Sequence, residues 1–404
     1  MSEVANIPQL RFPEFGDNWE EKKLGNVTSI VMGQSPDSTS YNSNGIGLYL
    51  IQGNADIKKR KTLPRVWTDT PTKECKVGDI IMTVRAPVGA VAKSIHNACI
   101  GRGVCAIRNN QHSVSNYIYQ FLLSFEKKWV KFEQGSTFTA VNTKDVKSLK
   151  LILPTVQEQT KIASFLSSID SKIEQLSKKK ALLGEYKKGL MQQIFSQEIR
   201  FKADDGSDFP DWEEKKLGNI SNVSKLAGYE FTKYIKYQDT GSIIALRGLN
   251  IKKNKLDLSV VKFIDNSDFS RLNRSKLFID DLMFTYIGTI GEVALIDEDD
   301  KYYLAPNVSR IRFNNEVCLP RFAIQYFNRE VFKQGEIKKY VSSSSQPALT
   351  MGNVRLFILN LPTKPEQQKI ANFLSSIDSK IEQVGEQLDK SKQFKKALLQ
   401  KMFV

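Results

Sequence analysis

Leu153-Pro-Thr-Val-Gln-Glu-Gln-Thr-Lys-Ile-Ala-Ser-Phe-Leu-Ser-Ser-Ile-Asp-Ser-Lys-Ile-Glu-Gln175 is written a second time in this chain, as Leu361-Pro-Thr-Lys-Pro-Glu-Gln-Gln-Lys-Ile-Ala-Asn-Phe-Leu-Ser-Ser-Ile-Asp-Ser-Lys-Ile-Glu-Gln383. The offset of 208 residues (153 to 361) holds without a gap to Phe195 and Phe403. A shorter pair opens each half: Trp19-Glu-Glu-Lys-Lys-Leu-Gly-Asn26 and Trp212-Glu-Glu-Lys-Lys-Leu-Gly-Asn219, at an offset of 193 (19 to 212). The globular part therefore lengthens by a net 15 residues between copies, while the segment behind it keeps its length. A chain that varies its heads and keeps its arms constant is expected to hold two different binding heads at a set distance.

Each arm opens with a helix start signal. Thr155 with Glu158, and Thr363 with Glu366, have capping-box spacing, and Pro365 falls in the first turn, where its missing N–H costs nothing. Behind the cap, Ile162, Ile169, Leu176, Leu183 and Leu190 recur every seven residues, flanked by Phe165, Leu166, Ile173, Tyr186 and Ile194. The second arm carries Ile370, Ile377, Val384 and Leu398 in the same register, broken at Ser391, with Phe373, Leu374, Ile381, Leu388 and Phe394 beside them. This is a coiled-coil seam with a solvated, Lys- and Glu-rich back. Some 40 residues of helix span roughly 60 Å. Left alone, each stripe would face water, so the arms are expected to pair with each other. Chain order makes that pairing antiparallel. Ile199-Arg200-Phe201 also echoes Leu10-Arg11-Phe12, so the chain reads as a pseudo-two-fold ring with one cut. Arms that make oligomers are the competing reading.

The heads read as short strands punctuated by glycine. The fold class is therefore α+β: two β-rich globular heads separated by two long antiparallel helices that form a coiled coil, a pseudo-two-fold internal repeat. The division runs 1–152 for the first head, 153–199 for its arm, 200–360 for the second head and 361–404 for the second arm. Asp79–Ala92 and Asp281–Ala294 align as hairpins with Gly89 and Gly291 near the turn. Gln52-Gly-Asn-Ala-Asp-Ile-Lys-Lys59 matches Arg247-Gly-Leu-Asn-Ile-Lys-Lys253 with the apolar scaffold kept and the polar residues changed. One fold presenting two sets of base-reading side chains is expected to look like this.

The candidate DNA-contacting residues of the first head are Gln34, Ser35, Lys58, Lys59, Arg60, Arg85, Arg102, Ser136, Thr137 and Thr139. In the second head they are Tyr229, Lys233, Arg247, Lys252, Lys253, Arg271, Arg274, Tyr286, Ser344 and Gln346. Lysine and arginine neutralise phosphates, arginine reads guanine, and carboxamides read adenine. A solvated surface role is open for each one, and aromatic residues at strand spacing are often core. The group carries the inference.

Bulk properties agree. A formal charge of +15 and a pI near 9.4 favour a polyanionic partner, and 41% hydrophobic residues describe a globular chain. The amino end lacks the apolar stretch of a signal peptide, and no run is long enough to span a bilayer. Four cysteines without paired spacing suit reduced thiols, so a cytoplasmic location is expected. His96, His112, Cys75, Cys99 and Cys105 lie close in sequence, but the second half has one cysteine and no histidine. The repeated fold therefore needs no metal. There is no Walker-type Gly-x-x-x-x-Gly-Lys, no Asn/Asp-Pro-Pro-aromatic motif of an amino-methyltransferase, and no repeated histidine for a hydrolase. In Pro210-Asp211-Trp212-Glu213-Glu214-Lys215 the acids sit too close in sequence to come from separate strands around a nuclease metal. The chain reads as a binder without catalysis.

Two variable heads opened by Trp-Glu-x-x-Lys-Leu-Gly and closed by Leu-Pro-x-x-x-Glu-Gln-x-Lys-Ile-Ala-x-x-Leu resemble the specificity subunit of type I restriction–modification systems. The likeness covers essentially the whole chain, and Glu158-Gln159-x-Lys161-Ile162-Ala163 with Glu366-Gln367-x-Lys369-Ile370-Ala371 is its most specific part. The resemblance implies that each head is a target recognition domain reading one half of a split site in double-stranded DNA. It further implies that the arms are spacer helices on which two methyltransferase subunits dock, with restriction subunits joining outside. S-adenosylmethionine, ATP and Mg2+ would then belong to those partners, with no cofactor on this chain and no membrane contact. A free-standing two-headed DNA-binding regulator is the alternative.

Overall fold

The computed structural model describes residues 7–129, 140–341 and 347–403. It divides into two compact units, residues 1–179 with 384–404 and residues 180–383, so each unit takes one head plus a portion of both arms.

In the first unit the head is closed by its own ends. Strand Glu20–Lys23 pairs antiparallel with Lys150–Leu153, Glu20 opposite Leu153, which places the first residues of the head beside the entrance to the arm. Between them lie two sheets. One runs in the order Thr28–Met32, Val104–Asn109, Ile80–Thr83, Val91–Lys93, Lys61–Thr62, Ile57–Lys58. The other is ordered Tyr41–Asn42, Val66–Thr68, Leu48–Ile51, Ala98–Ile100, Glu74–Cys75, with Leu48–Ile51 and Ala98–Ile100 parallel. The hairpin expected at 79–92 forms, Ile80–Thr83 against Val91–Lys93. Gly89 has φ +85°, and a Cβ there would lie 2.2 Å from the Trp129 ring, so both conformation and space require glycine.

The second unit repeats the plan, with fewer strands among the described residues. Glu213–Lys216 pairs with Ile358–Leu361. A four-stranded sheet runs Ser221–Lys225, Val308–Phe313, Leu282–Thr285, Val293–Leu295. The parallel pair recurs as Ile244–Leu246 with Tyr302–Leu304.

The arms are helices Val156–Phe195 and Lys364–Met402. In the first unit Ile162, Leu166 and Ile169 share a core with Leu398, Met402 and Phe403. In the second, Ile194 is buried with Ile370 and Leu374. High numbers on one arm meet low numbers on the other in both units, the antiparallel sense expected. Two residues of the expected seam point elsewhere: Tyr186 and Phe394 are exposed by 56% and 54%. The next residue, Lys187, is buried instead, four places after Leu183, where an a-type position of the seam falls. Its ammonium is 2.7 Å from both Asp378 carboxylate oxygens and 2.8 Å from Gln325 Oε1. The first unit holds the counterpart, Lys395 to Asp170 at 2.5 Å, with Gln120 Nε2 donating to the same carboxylate at 2.7 Å.

Candidate nucleic-acid interface

The most specific residues of the repeated motif turn out to lock each head to its arm. Glu158 is buried and takes two hydrogen bonds from Arg11, Nε at 2.7 Å and Nη2 at 2.8 Å, and one from Trp19 Nε1 at 3.2 Å. Glu366 does the same with Arg200, at 3.3 and 2.9 Å, and with Trp212 Nε1 at 3.2 Å. The neighbouring Gln159 accepts from Val114 N–H and donates to Pro154 and His112 carbonyls; Gln367 accepts from Leu319 N–H and donates to Val317 and Pro362. The expected capping boxes are therefore not made. Glu158 N–H reaches Thr155 Oγ1 only at 3.4 Å, Thr363 Oγ1 is buried without a partner, and both glutamate side chains turn to arginine and tryptophan. A buried carboxylate is stabilised more by a guanidinium and an indole N–H than by one backbone amide. The echo of Leu10-Arg11-Phe12 in Ile199-Arg200-Phe201 has the same basis. Phe12 packs edge-on to Phe165 at 5.7 Å and Phe201 to Phe373 at 5.6 Å. Leu10 N–H also donates to Lys401 C=O at 2.9 Å, so the segment around Leu10 is tied to the last turn of the second arm.

With the ends held, the first head presents a polar cleft of about 240 Å3 lined by Ser35, Gln52, Gly53, Asn54, Arg85, Ala86, Arg102 and Gly103. Chain segments approach closely at and beside it. A Cβ on Gly33 would lie 2.1 Å from Gly101 O, and one on Gly103 would lie 2.1 Å from Gln52 O. Ser35 Oγ accepts from Arg102 N–H at 3.2 Å, tying the two rims. Arg85 and Arg102 are exposed, and among the described residues neither guanidinium has a protein partner. The structure thus brings together three expected residues, Ser35, Arg85 and Arg102, with Gln34 next to them and exposed. Gln52 and Asn54 join them. They were absent from the candidate residues, although the segment holding them is the one whose polar residues change between the copies.

The basic turn at 58–61 goes elsewhere. Lys59 and Arg60 have φ of +50° and +63°, and the hairpin is fastened at both sides: Lys61 pairs with Glu174 of the arm at 2.8 Å, and Arg60 forks onto Glu126 and donates to Val91 O. Arg60 is thereby engaged by the fold. Lys58 and Lys59 are exposed. The second head repeats the device, with Lys253 and Asn254 at positive φ and Lys255 paired with arm residue Glu382.

In the second head Tyr229 and Lys233 are exposed on helix Gly228–Lys233, with the Tyr229 ring edge-on to Tyr234 at 6.5 Å. Arg271 and Arg274 are exposed on consecutive 3-10 turns. Lys252 pairs with Asp257 at 2.8 Å, and Lys253 is exposed. Arg247 is half-buried and donates to Val260 O at 3.1 Å. Tyr286 corrects the expectation: it is 7% exposed within the core, its ring carries Lys225 Nζ at 5.2 Å, and burial pushes its hydroxyl pKa up. A tyrosine at strand spacing is drawn into the core by its apolar ring. Ser136, Thr137, Thr139, Ser344 and Gln346 lie outside the described residues.

Among the described residues no group of three or more histidine, cysteine, aspartate or glutamate side chains is arranged to hold a metal ion. The four cysteines are free and buried; burial pushes the Cys105 thiol up to about 12. No described helix is long and apolar enough to cross a membrane.

An internally duplicated scaffold with a constant head-to-arm lock and divergent polar surfaces places the chain among two-headed specificity proteins. The sequence profile of the type I restriction modification DNA specificity domain matches residues 16–184 and again 210–390. The chain belongs to that family, the specificity subunits of type I restriction–modification systems. The type I restriction enzyme MjaVIII specificity subunit of Methanocaldococcus jannaschii is 23% identical over 416 residues, 95% of this chain and 91% of that one. The EcoBI specificity subunit of Escherichia coli is 21% identical over 418 residues, 96% and 86% of the two chains. A putative MjaX specificity subunit of M. jannaschii is more similar, 37%, over 205 residues that span 50% of this chain and 46% of that one. The fold matches the crystal structure of the type I S subunit from M. genitalium, with a TM-score of 0.65 at 16% identity over 98% and 99% of the chains.

Proposed function

We propose that this chain is the DNA-reading, non-catalytic subunit of a type I restriction–modification complex. Each head reads one half of a split double-stranded target, and the arms set the gap. Two methyltransferase subunits dock on the arms, and restriction subunits join them. S-adenosylmethionine, ATP and Mg2+ are bound by those partners. The contacting residues come from the candidates at the surface: the exposed Gln34, Arg85 and Arg102 with the half-buried Ser35 in the first head, and Tyr229, Lys233, Arg271 and Arg274 in the second, with Lys58, Lys59 and Lys253 on phosphates.

The observation that supports this reading best is one scaffold built twice with the same lock and different polar surfaces. A protein that needed two equal binding sites would have kept the surfaces alike. The test is co-expression with the methyltransferase partner, followed by native mass spectrometry and single-molecule methylome sequencing of cells with and without this gene. Two methyltransferase subunits per chain and a gene-dependent split methylation motif are expected. A chain that binds its site alone and leaves the methylome unchanged would be a free-standing regulator.

A further inference from the structure

Phosphate contacts carry no sequence information, so two DNA-binding heads can share them, whereas the side chains that read two different half-sites must differ. The strand pairings make this comparison residue by residue. Ile51 pairs with Ile100 in the first head as Leu246 pairs with Leu304 in the second. Gly101 N–H donates to Ile51 O as Ala305 N–H donates to Leu246 O. Gln52 therefore occupies the place of Arg247, and Arg102 that of Pro306. Val84 N–H donates to Gly103 O as Tyr286 N–H donates to Asn307 O, and Arg85 bridges to Ala140 as Ile287 bridges to Ala348. Arg85 thus stands where the second head has Ile287. The strand ends around the cleft are paired alike in both heads, yet both free guanidinium groups of the first head are replaced by side chains that carry no charge.

A phosphate grip would be as useful to one head as to the other. Two forked cations present in one head only, beside the carboxamides of Gln52 and Asn54, have the chemistry of base-edge readout. Resting on the reading above, we infer that this cleft is the base-reading site of the first head, and that Arg85 and Arg102 read guanine in that half of the target. Each guanidinium donates two parallel hydrogen bonds to O6 and N7 in the major groove. The second head lacks this pair, so its half is read by other residues.

The experiment uses the complete complex carrying Arg85→Ala, Arg102→Ala, or neither. Both side chains are exposed and make no hydrogen bond to the described residues, so the fold is retained, which co-purification with the methyltransferase verifies. Methylome sequencing should show each variant relaxed at one guanine of the first half-motif, with the second half-motif unchanged. In vitro, 7-deazaguanine at that position removes the N7 acceptor. It should weaken the unmodified complex roughly 5- to 150-fold and leave the corresponding variant little further affected. A first half-motif without guanine, or variants that bind every sequence more weakly with the motif intact, would overturn the inference while leaving the two-headed reading in place. A complex that methylates no split motif would remove both.

Discussion

Glu158→Ala tests the lock between head and arm. The side chain of Glu158 is 0% exposed and that of Arg11 11% exposed. Removing the carboxylate leaves a nearly buried guanidinium and the buried Trp19 N–H without an acceptor on that side. Breaking a buried ion pair by deleting one partner costs about 3–5 kcal/mol. At about 2–4 °C per kcal/mol for a unit of this size, the melting temperature of the first unit should fall by roughly 6–20 °C. Glu158→Gln keeps an acceptor but loses the charge, and should cost less, about 1.5–3 kcal/mol. The double change Arg11→Leu with Glu158→Leu should recover part of the loss, because most of the cost is the stranded charge. Glu366→Ala should be milder than Glu158→Ala, since Arg200 is 24% exposed and can be rehydrated. Calorimetry and denaturant unfolding followed by tryptophan fluorescence give these values. A loss below about 1 kcal/mol for Glu158→Ala, or a double variant as unstable as the sum of its parts, would refute the argument.

Lys187→Glu places like charges at the Asp378 contact, and adding Asp378→Lys should restore stability, with a coupling of about 0.5–3 kcal/mol in a double-mutant cycle; independent effects would mean that the pair does not hold the register. All four thiols should resist alkylation at pH 8 in the native protein and react on unfolding. Burial raises the Cys105 pKa to about 12, so its reactive thiolate is scarce until well above that pH, and a fast native thiol would contradict this. Affinity of the assembled complex for its site should fall steeply with salt, as phosphate contacts release counterions, and a flat salt dependence would exclude such contacts. One heptad added after Leu176 and another after Val384 keeps the stripe in phase and lengthens each helix by roughly 10.5 Å, about three base pairs at 3.4 Å each. Selection from a random-gap DNA library should then return a longer gap, and an unchanged gap at unchanged affinity would show that the arms do not set it.

The repeat, the arms and their antiparallel pairing were legible in the sequence because they rest on local rules. A seven-residue stripe obliges a helix to bury one face, and chain order settles the direction. The hairpins at 79–92 and 281–294 were legible for the same reason, being closed by neighbouring residues. What the sequence alone could not decide lies between residues far apart along the chain. Glu158 has the spacing of a local cap, yet its partners are 147 and 139 residues away, and the stronger donors win. Lys187 lies among the lysines of the helix back, but meets an aspartate 191 residues on, which holds it inside the seam while Tyr186 turns to solvent. Of twenty candidate contact residues, the tertiary structure gathered Ser35, Arg85 and Arg102 at one cleft, engaged Arg60 in the fold and buried Tyr286. Composition places basic and polar residues at the surface of a head; only the meeting of distant chain segments, close at Gly33, Gly101 and Gly103, determines which of them line one cleft.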